Sequence, residues 1–572
     1  MGFDLDLQQL EAVRSPHQDT MVIASAGSGK TRCLTGRVAY LVEEMRVSPT
    51  ELLCLTFTRR ASGEMVSRLE KQIGRRAHKL NIGTIHAMAL KYIRMWGDKL
   101  GLRPSQVTVY SQWEAEFLLK DTALLVKAPA KYLATMEQFY QTGAEPAIGH
   151  PHRRLFDVYM ARLRQNNALD YGMLLLGMKI ILPEICSRPL SHVLVDEAQD
   201  LDELQWSLTL GIQALRPETG LFVVGDDWQC IYKFRGARPD LMIEHQKDFH
   251  VYRLETNYRS VPQIVEPSAR LIKHNVNRTE KEMIPHRKDK GKTMVVMESD
   301  SKKTAAMLQG MLHTQPNIAV LSRVHVLLQK LSSELDELGV KHNYCGRRAK
   351  AMQGEDFRRV HAIFKLVFNP FDNFSFALAR DILGVPDSTY LDVLRATSEN
   401  GSTHLDNWLK SGSADAEWID IFGGKSLDLT MLCDRIYFKL ENFRAMPVAI
   451  ARQFADGGKT LKQYLDWVAT YDLQEEVVSD YEGLQLMTVH QAKGLEFPCV
   501  VLVGWNEGFL PSKQAVNAGE VEDERCVAFV GMTRAQDQLF ICVRPEVTES
   551  NGKVYQNPVS RFIGEITQPL EG

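Results

Sequence analysis

The chain has 572 residues, several times the usual size of one domain, so three or four packed units are expected. Hydrophobic residues make up 44% of the chain, but no apolar run approaches the roughly 20 residues of a membrane-spanning helix, which argues against a membrane protein. The formal net charge of −3 gives no bulk sign of nucleic-acid binding, and nine scattered cysteines without a Cys-x-x-Cys pair indicate neither a disulfide framework nor a cysteine metal site.

The amino terminus lacks the basic start and apolar stretch of a secretory signal, so a cytoplasmic protein is expected, nucleoid-associated if bacterial or phage. Short apolar strands follow along the chain, and the first two each precede a long helical pattern, which predicts parallel β-α-β units. The first four strands are assigned to one core and the other six to a second core. In chain order, these ten predicted strands are 20–24, 51–57, 192–196, 221–225, 251–254, 293–297, 317–321, 484–488, 498–503 and 538–543.

Two helix-like segments interrupt this alternation. The first extends from about residue 96 to residue 188 and is rich in Leu, Met, Lys and Tyr. The second extends from about residue 369 to residue 479 and is punctuated by Gly and Ser. The predicted fold class is therefore α/β, with two parallel-sheet cores that each carry a mostly helical insertion.

A glycine-rich segment, Ala-Ser-Ala-Gly-Ser-Gly-Lys-Thr at positions 24–31, follows the first predicted strand and opens a helix. Its glycines allow backbone N–H groups to surround phosphate oxygens, Lys30 can neutralise the outer phosphates, and the Thr31 hydroxyl can bind magnesium. Ala24 replaces the first glycine of the usual pattern. The alternative is a glycine-rich turn that binds no ligand.

An acidic pair ends the predicted strand at 192–196. Asp196 could hold magnesium, and Glu197 could deprotonate the water that attacks the γ-phosphate of ATP. Acidic runs after strands are usually solvated loops. The apolar residues in front of this pair instead place it at the carboxyl edge of a buried sheet, where open α/β sheets bind ligands.

In the order of these motifs, the chain resembles the superfamily 1A DNA helicases of the UvrD/Rep/PcrA type, as a compact member. The resemblance covers nearly the whole length, although each short motif is weak alone. The matching segments are 5–13 (Q motif), 55–65 (Ia), 82–86 (Ib), 169–175 (before the Walker B strand), 224–237 (III), 257–260 (IV), 486–498 (V) and 522–535 (VI).

The resemblance implies two RecA-like P-loop domains, each with a mostly helical insertion. The implied boundaries are 1–95 and 190–252 for the first core, 96–189 for its insertion, 253–368 and 481–572 for the second core, and 369–480 for a short second insertion.

The resemblance also implies an ATP site shared between the two cores, with Mg²⁺ held by Thr31 and Asp196. Gln229 would sense the γ-phosphate, and Arg259 and Arg534 would stabilise the transferred phosphoryl group from the second core. With Lys30, Asp196 and Glu197, these are the predicted catalytic residues. The predicted nucleotide-binding residues are Gln9 and Tyr258 with Arg32 at the adenine, Ala26, Gly27, Ser28, Gly29, Lys30 and Thr31 in the loop, and Gly494 and Glu496 near the ribose and phosphates.

The implied substrate is single-stranded DNA, tracked 3′ to 5′, as part of a tailed or forked duplex. Aromatic faces stack on bases without choosing among them. Core packing is the alternative for any one aromatic residue, Tyr232 above all. Tyr555 would follow a hairpin turn at Asn551-Gly552 and stack on the last base pair, although a plain surface hairpin also fits. The implied track consists of Phe57, His86, Tyr232, Phe234, Arg235, His490 and Tyr555.

Three functions remain open at this point. The first is an ATP-driven DNA translocase and helicase. The second is an ATP-gated module that strips proteins from DNA or serves a nuclease, repair or replication partner. The third, a small-molecule phosphotransferase, is disfavoured because no second substrate pocket is indicated.

Overall fold

The computed structural model describes residues 5–297, 301–345, 354–424, 428–440, 445–469, 483–544, 546–548, 554–556 and 558–567. The chain divides into two compact units. The first unit comprises Met1–Thr84, Pro189–Gly346 and Gln474–Gly572, and the second comprises Ile85–Arg188 and Arg347–Leu473.

The strands all fall close to the predicted positions where a prediction was made. They are β1 (Thr20–Ala24), β2 (Leu52–Thr56), β3 (Asn81–Thr84), β4 (Thr108–Tyr110), β5 (Ala168–Asp170), β6 (His192–Val195), β7 (Gly220–Gly225), β8 (His250–Leu254), β9 (Thr256–Asn257), β10 (Ile284–Pro285), β11 (Lys292–Met297), β12 (Ile318–Ser322), β13 (His342–Tyr344), β14 (Leu484–Thr488), β15 (Phe497–Val503), β16 (Ala535–Val543), β17 (Glu546–Thr548) and β18 (Val554–Gln556).

The α-helices of the described residues are distributed over both units. They are α1 (Leu7–Val13), α2 (Lys30–Glu43), α3 (Arg59–Ile73), α4 (Ile85–Trp96), α5 (Gln112–Val126), α6 (Tyr132–Thr142), α7 (Arg153–Gln165), α8 (Tyr171–Ile180), α9 (Leu182–Cys186), α10 (Glu203–Leu215), α11 (Pro239–Glu244), α12 (Pro262–Lys273), α13 (Ser301–Met311), α14 (His325–Glu337), α15 (Glu355–Phe368), α16 (Asn373–Leu383), α17 (Asp387–Asn400), α18 (His404–Lys410), α19 (Ala416–Gly423), α20 (Leu429–Lys439), α21 (Ala445–Ala455), α22 (Leu461–Ala469), α23 (Lys513–Ala518), α24 (Val521–Met532) and α25 (Arg561–Thr567).

The first sheet has the order β3-β2-β6-β7-β1-β8, and every neighbouring pair in it is parallel. All five residues of β1 and of β2 are buried, as expected for strands covered on both faces. Because the strands are parallel, β1, β6 and β7 end at the same edge. The segments that begin after Ala24, Val195 and Gly225 therefore start close together.

The second sheet has the order β11-β16-β15-β12-β14-β13 and is also parallel throughout. The predicted α/β fold with two parallel sheets is thus confirmed. One strand assignment was wrong: β8 pairs with β1 in the first sheet, so the strand at 251–254 does not belong to the second core. Local composition cannot show this, because the choice of sheet depends on the distant partner strand.

The second unit joins both helical insertions around a buried polar cluster. Lys365 on α15 donates to both carboxylate oxygens of Glu114 on α5, at 2.6 and 2.5 Å, and both side chains are almost fully buried. Nearby, the Tyr110 hydroxyl donates to Asp372 at 2.6 Å. The two insertions are far apart in sequence, so this unit follows from tertiary contacts that no local pattern predicts.

The nine cysteines are all buried and free. Burial raises the pKa of the Cys54 thiol to about 12, so it stays protonated at neutral pH. Within the described part of the chain, no helix combines the length and apolarity needed to cross a bilayer.

The Glu114–Lys365 pair allows a test of how the insertions are held together. Lys365→Met should leave the Glu114 carboxylate buried without a counter-charge, at a cost of about 3–5 kcal/mol in the free energy of local opening. The expected result is faster amide hydrogen exchange in α5 and α15, with exchange in the first sheet as the internal reference.

A second variant separates charge from packing. Adding Glu114→Gln removes the unpaired charge, and glutamine can still accept from Ser111 at the start of α5, as Glu114 does at 2.8 Å. The double variant should recover most of the lost protection. Equal protection in the single and double variants would contradict the assignment.

Candidate functional site

The phosphate loop joins the end of β1 to the start of α2 at Lys30. Gly27 and Gly29 have positive φ angles of 69° and 85°, which glycine adopts without strain. Space is restrictive as well: a Cβ on Gly27 would lie 2.7 Å from the Asn257 amide nitrogen, and one on Gly29 would lie 2.7 Å from the Gln9 amide nitrogen. The loop therefore needs glycine at both positions, and the open N–H groups of α2 follow directly after it.

Lys30 lies between two acidic side chains that follow strands of the first sheet. Its Nζ is 3.8 Å from Glu197 Oε2 and 3.6 Å from Asp226 Oδ2. Both distances exceed a direct hydrogen bond, so the ammonium is held in place without being fully bonded. Thr31, the next residue, lies half-buried in the first turn of α2.

The acidic pair after β6 has two different electrostatic environments. Burial and the neighbouring Glu197 carboxylate raise the pKa of Asp196 to about 7, against the opposing charge of Lys30. Burial also disfavours the ionised form of Glu197, but Lys30, Lys493 and a hydrogen bond from Gln199 at 2.5 Å outweigh it and lower its pKa. Neighbouring carboxylates with pKa values shifted in opposite directions are typical of catalytic sites.

The predicted adenine residues converge on the same loop. Gln9 donates through Nε2 to the Ser28 carbonyl at 2.9 Å, and the Tyr258 N–H donates to the Gly27 carbonyl at 3.0 Å. Asp6 links the two: it caps α1 by accepting from the Gln9 N–H at 2.7 Å and accepts from the Tyr258 hydroxyl at 2.6 Å. Asp6 was not predicted, although an acidic residue before a helix is a recognised N-cap signal.

Arg32 is exposed in the first turn of α2. Burial and Asp6 raise the pKa of Tyr258 to about 12, and the positive charge of Arg32 opposes this increase. The loop carbonyl of Ala26 accepts from the Asn257 side chain at 2.6 Å. The side-chain Oδ1 of Asn257 accepts in turn from the Arg259 N–H at 3.0 Å. Asn257 lies in the matching segment 257–260 but was not predicted as a site residue, and it connects the loop to the arginine segment.

One predicted arginine lies against the loop, and the other contacts Gln229 of the first core. The Cβ of Arg259 would lie 2.9 Å from a Cβ on Gly27, and its Nε donates to Glu496 at 2.6 Å. Arg534 is 1% exposed and donates through Nη2 to Gln229 Oε1 at 3.0 Å. Burial and the charge of Arg259 lower the pKa of Arg534 to about 9, opposed by nearby carboxylates such as Glu197.

Gln229 is the direct contact between the first core and Arg534. Its Nε2 donates to Asp226, while its Oε1 accepts from the arginine. Asp226 was not predicted, yet it follows the buried strand β7 just as Asp196 follows β6. The same strand-end rule could therefore have found it.

The two remaining predicted nucleotide residues lie in the second core. Glu496 is partly exposed and shared between Arg259 and Gln536, whose Nε2 donates to it at 3.0 Å. Burial opposes its ionisation, but Arg259 holds its pKa below the usual value. Gly494 has a positive φ of 82°, and no atom lies within 4 Å of the position of a Cβ there.

Lys493 connects the two cores beside these residues. Its Nζ donates to Asp200 at 2.5 Å and to the Gln229 carbonyl at 2.7 Å. Burial raises the pKa of Asp200 to about 7 in spite of this lysine. The sequence contained a motif around Lys493 but gave no reason to select it.

An aromatic cluster in the first unit contains five of the seven predicted track residues, Arg235 included. The Phe57 and Tyr232 rings stack with centroids 4.8 Å apart, and the His490 ring lies 6.0 Å from Tyr232 and 5.6 Å from Phe234. The guanidinium carbon of Arg235 lies 5.9 Å from the Tyr232 centroid. The structure thus brings together residues from three separate motifs.

The members of this cluster differ in accessibility. Phe234 is 64% exposed and Phe57 is half-buried, whereas Tyr232 and His490 are only 5% and 7% exposed. Burial and nearby cations lower the pKa of His490 to about 3, so its ring is neutral. Tyr232 and His490 therefore mainly support the rings that face solvent, which favours the packing alternative for Tyr232.

The last two predicted track residues lie elsewhere. His86 belongs to the second unit, where its ring stacks on Tyr171 with centroids 4.0 Å apart. Tyr555 lies in β18, which pairs antiparallel with β17, so the predicted hairpin is confirmed. The predicted turn at Asn551-Gly552 lies outside the described residues.

Comparison with known proteins identifies the family of the chain. A model of the UvrD/REP helicase N-terminal domain matches residues 5–250, and one of the UvrD-like helicase C-terminal domain matches residues 252–423 and 436–545. The ATP-dependent DNA helicase PcrA of Bacillus subtilis is 29% identical, with 98% of this chain and 85% of the relative covered. A probable DNA helicase II homologue of Rickettsia felis is 27% identical, covering 99% and 96%, and DNA helicase II of Escherichia coli is 26% identical, covering 99% and 87%. The chain belongs to the UvrD/Rep helicase family.

Proposed function

We propose that the chain is an ATP-dependent DNA helicase that moves 3′ to 5′ along single-stranded DNA and couples ATP hydrolysis to duplex unwinding. The observation that carries this is the contact of Arg534 in the second core with Gln229 in the first, since Gln229 also donates to Asp226, which lies 3.6 Å from Lys30 of the phosphate loop. The names of the relatives, ATP-dependent DNA helicase and DNA helicase II, support the same activity. A tailed or forked duplex is the proposed substrate, in the cytoplasm and at the nucleoid.

We assign hydrolysis to residues from both cores. Glu197, with its lowered pKa, is the base for the attacking water, and Gln229 orients that water. Arg259 and Arg534 stabilise the charge of the transferred phosphoryl group, and Lys30 neutralises the outer phosphates. Because these groups come from both cores, ATP binding favours closure of the cleft between the cores, and product release permits its opening.

The residues present fit a magnesium ion. Asp196 is buried with a raised pKa, which indicates a carboxylate short of positive charge, and Thr31 offers a hydroxyl oxygen in the adjacent turn. In the described ranges, no group of three or more His, Cys, Asp or Glu side chains is placed to hold a metal ion by itself. Asp196 and Thr31 would hold the ion, which would supply positive charge to offset that of the phosphates.

The aromatic cluster is the proposed binding site for single-stranded DNA. Phe234 and Phe57 offer ring faces for stacking, Arg235 adds positive charge, and Tyr232 with His490 supports them from below. His86 and Tyr555 are proposed as further contacts on the strand and at the junction.

The polarity proposal is tested with matched duplexes. The purified chain should unwind a duplex with a 3′ single-stranded tail in the presence of ATP and Mg²⁺ and leave the 5′-tailed duplex intact. Strand displacement is measured at fixed salt, since binding to phosphates depends on it. Preference for the 5′ tail, or hydrolysis that single-stranded DNA does not stimulate, would refute the proposal.

Glu197→Gln tests the assigned base. Turnover should fall about 10²–10⁴-fold, because the general base is lost while Lys30 and Asp196 remain. Binding of a fluorescent ATP analogue should persist, and Glu203→Gln, an exposed position on α10, serves as the control. Undiminished hydrolysis by Glu197→Gln would remove it from the mechanism.

Phe234→Ala and Phe57→Ala test the grip on DNA. Loss of stacking on one base should raise the single-stranded DNA concentration for half-maximal ATPase stimulation about fivefold to a hundredfold. Phe438→Ala removes an equally large, 77% exposed ring from the second unit and is the matched control. If all three variants require the same DNA concentration as the unaltered chain, the cluster is not the track.

A further inference from the structure

A buried lysine outside the predicted site lies directly behind the catalytic glutamine. Lys281 belongs to the segment that joins α12 to β10, and its side chain is fully buried. Its Nζ donates to Asp226 Oδ1 at 2.6 Å and to Asp227 Oδ1 at 2.8 Å, and it lies 4.7 Å from the centroid of the Trp228 ring. A buried ammonium is tolerated only with such compensation.

The two aspartates that bind Lys281 have different further partners. Asp227 accepts from the Thr279 N–H at 2.7 Å, so it fixes the backbone of the lysine's own segment. Asp226 instead directs its second oxygen to the nucleotide site, where it accepts from Gln229 and lies 3.6 Å from Lys30. Lys281 therefore has one structural partner and one partner at the site of ATP hydrolysis.

We propose that Lys281 is a positioning residue for ATP turnover, acting through Asp226 on Gln229 and Lys30. This rests on the proposed ATPase function of the site. The side-chain amide of glutamine has a donor end and an acceptor end. With Asp226 anchored by Lys281, the donor end of Gln229 is fixed, and its oxygen must face Arg534, which donates to it at 3.0 Å.

Lys281 also determines how strongly the negative charge of Asp226 attracts Lys30. Burial opposes ionisation of Asp226, but Lys281 first and Lys30 second lower its pKa, and the Asp226 carboxylate stays charged. While Lys281 neutralises that carboxylate, Lys30 remains available to phosphate. Without Lys281, Lys30 is the nearest remaining cation, and Asp226 competes with ATP for it.

Two double variants test this proposal, and each leaves one buried carboxylate without its lysine. Lys281→Met with Asp226→Asn leaves only Asp227 charged, whereas Lys281→Met with Asp227→Asn leaves only Asp226 charged. The second should have an ATP KM about tenfold higher than the first, because only there does an unpaired Asp226 hold Lys30. Steady-state ATPase with saturating single-stranded DNA gives kcat and KM separately, and thermal melting confirms that both are folded.

The single variant adds the turnover readout. Lys281→Met should lower kcat about tenfold to a hundredfold by misplacing Gln229 against Arg534. Equal KM values in the two double variants, with a changed melting temperature alone, would show a purely structural lysine and overturn the proposal. An unaltered chain without DNA-stimulated ATPase would instead refute the proposed function, so the two failures are distinguishable.

Discussion

The arrangement depends on one contact between the two sheets, the hydrogen bond from Arg534 to Gln229. Each partner is buried and held by a second interaction: Arg534 by the Val530 carbonyl at 3.0 Å and Gln229 by Asp226. A buried guanidinium is costly unless its donors are satisfied, and its acceptors here come from both cores. The contact therefore forms only when the sheets meet in one orientation. That orientation also brings Arg259 against Gly27, where the space that glycine leaves allows the approach.

Charge balance explains why so many ionisable groups can be buried at this junction. Lys281 neutralises Asp226 and Asp227, Lys493 neutralises Asp200, and Lys30 lies near Asp226 and Glu197. Asp196 lacks a comparable lysine partner, and burial together with the Glu197 carboxylate raises its pKa. Asp196 is thus available to an external cation, whereas Asp200, Asp226 and Asp227 already have lysine partners. The triphosphate of ATP adds negative charge beside Lys30, which a magnesium ion on Asp196 would offset.

Sequence patterns predicted most of the fold because apolar strands are local features. Residues 20–24 and 484–488 match β1 and β14 without any shift. The error at β8 has a different origin, since its residues look alike in either sheet and only pairing with β1 decides. The site divides in the same way. Lys30, Asp196 and the two arginines belong to motifs with local spacing. Lys281 cannot be recognised from its local sequence, because its partners Asp226 and Asp227 lie more than 50 residues away. Charge balance in a core is a tertiary property.

The nucleotide site and the aromatic cluster share side chains, so neither can rearrange alone. Lys493 donates to the Gln229 carbonyl, and its Nζ lies 4.9 Å from the centroid of the Tyr232 ring. Tyr232 in turn donates to the His490 carbonyl at 3.3 Å and stacks on Phe57. Lys493 belongs to the second core and Gln229 to the first. If hydrolysis breaks the Gln229–Arg534 contact and the sheets separate, the hydrogen bond from Lys493 to Gln229 must therefore break unless Lys493 itself is pulled out of place. The packing of Tyr232 and His490 against Phe57 and Phe234 then changes in the same step, because Tyr232 lies in the first core and His490 in the second. Under the proposed function, a nucleotide change would in this way alter the surface that is proposed to contact DNA, without requiring a longer chain of contacts.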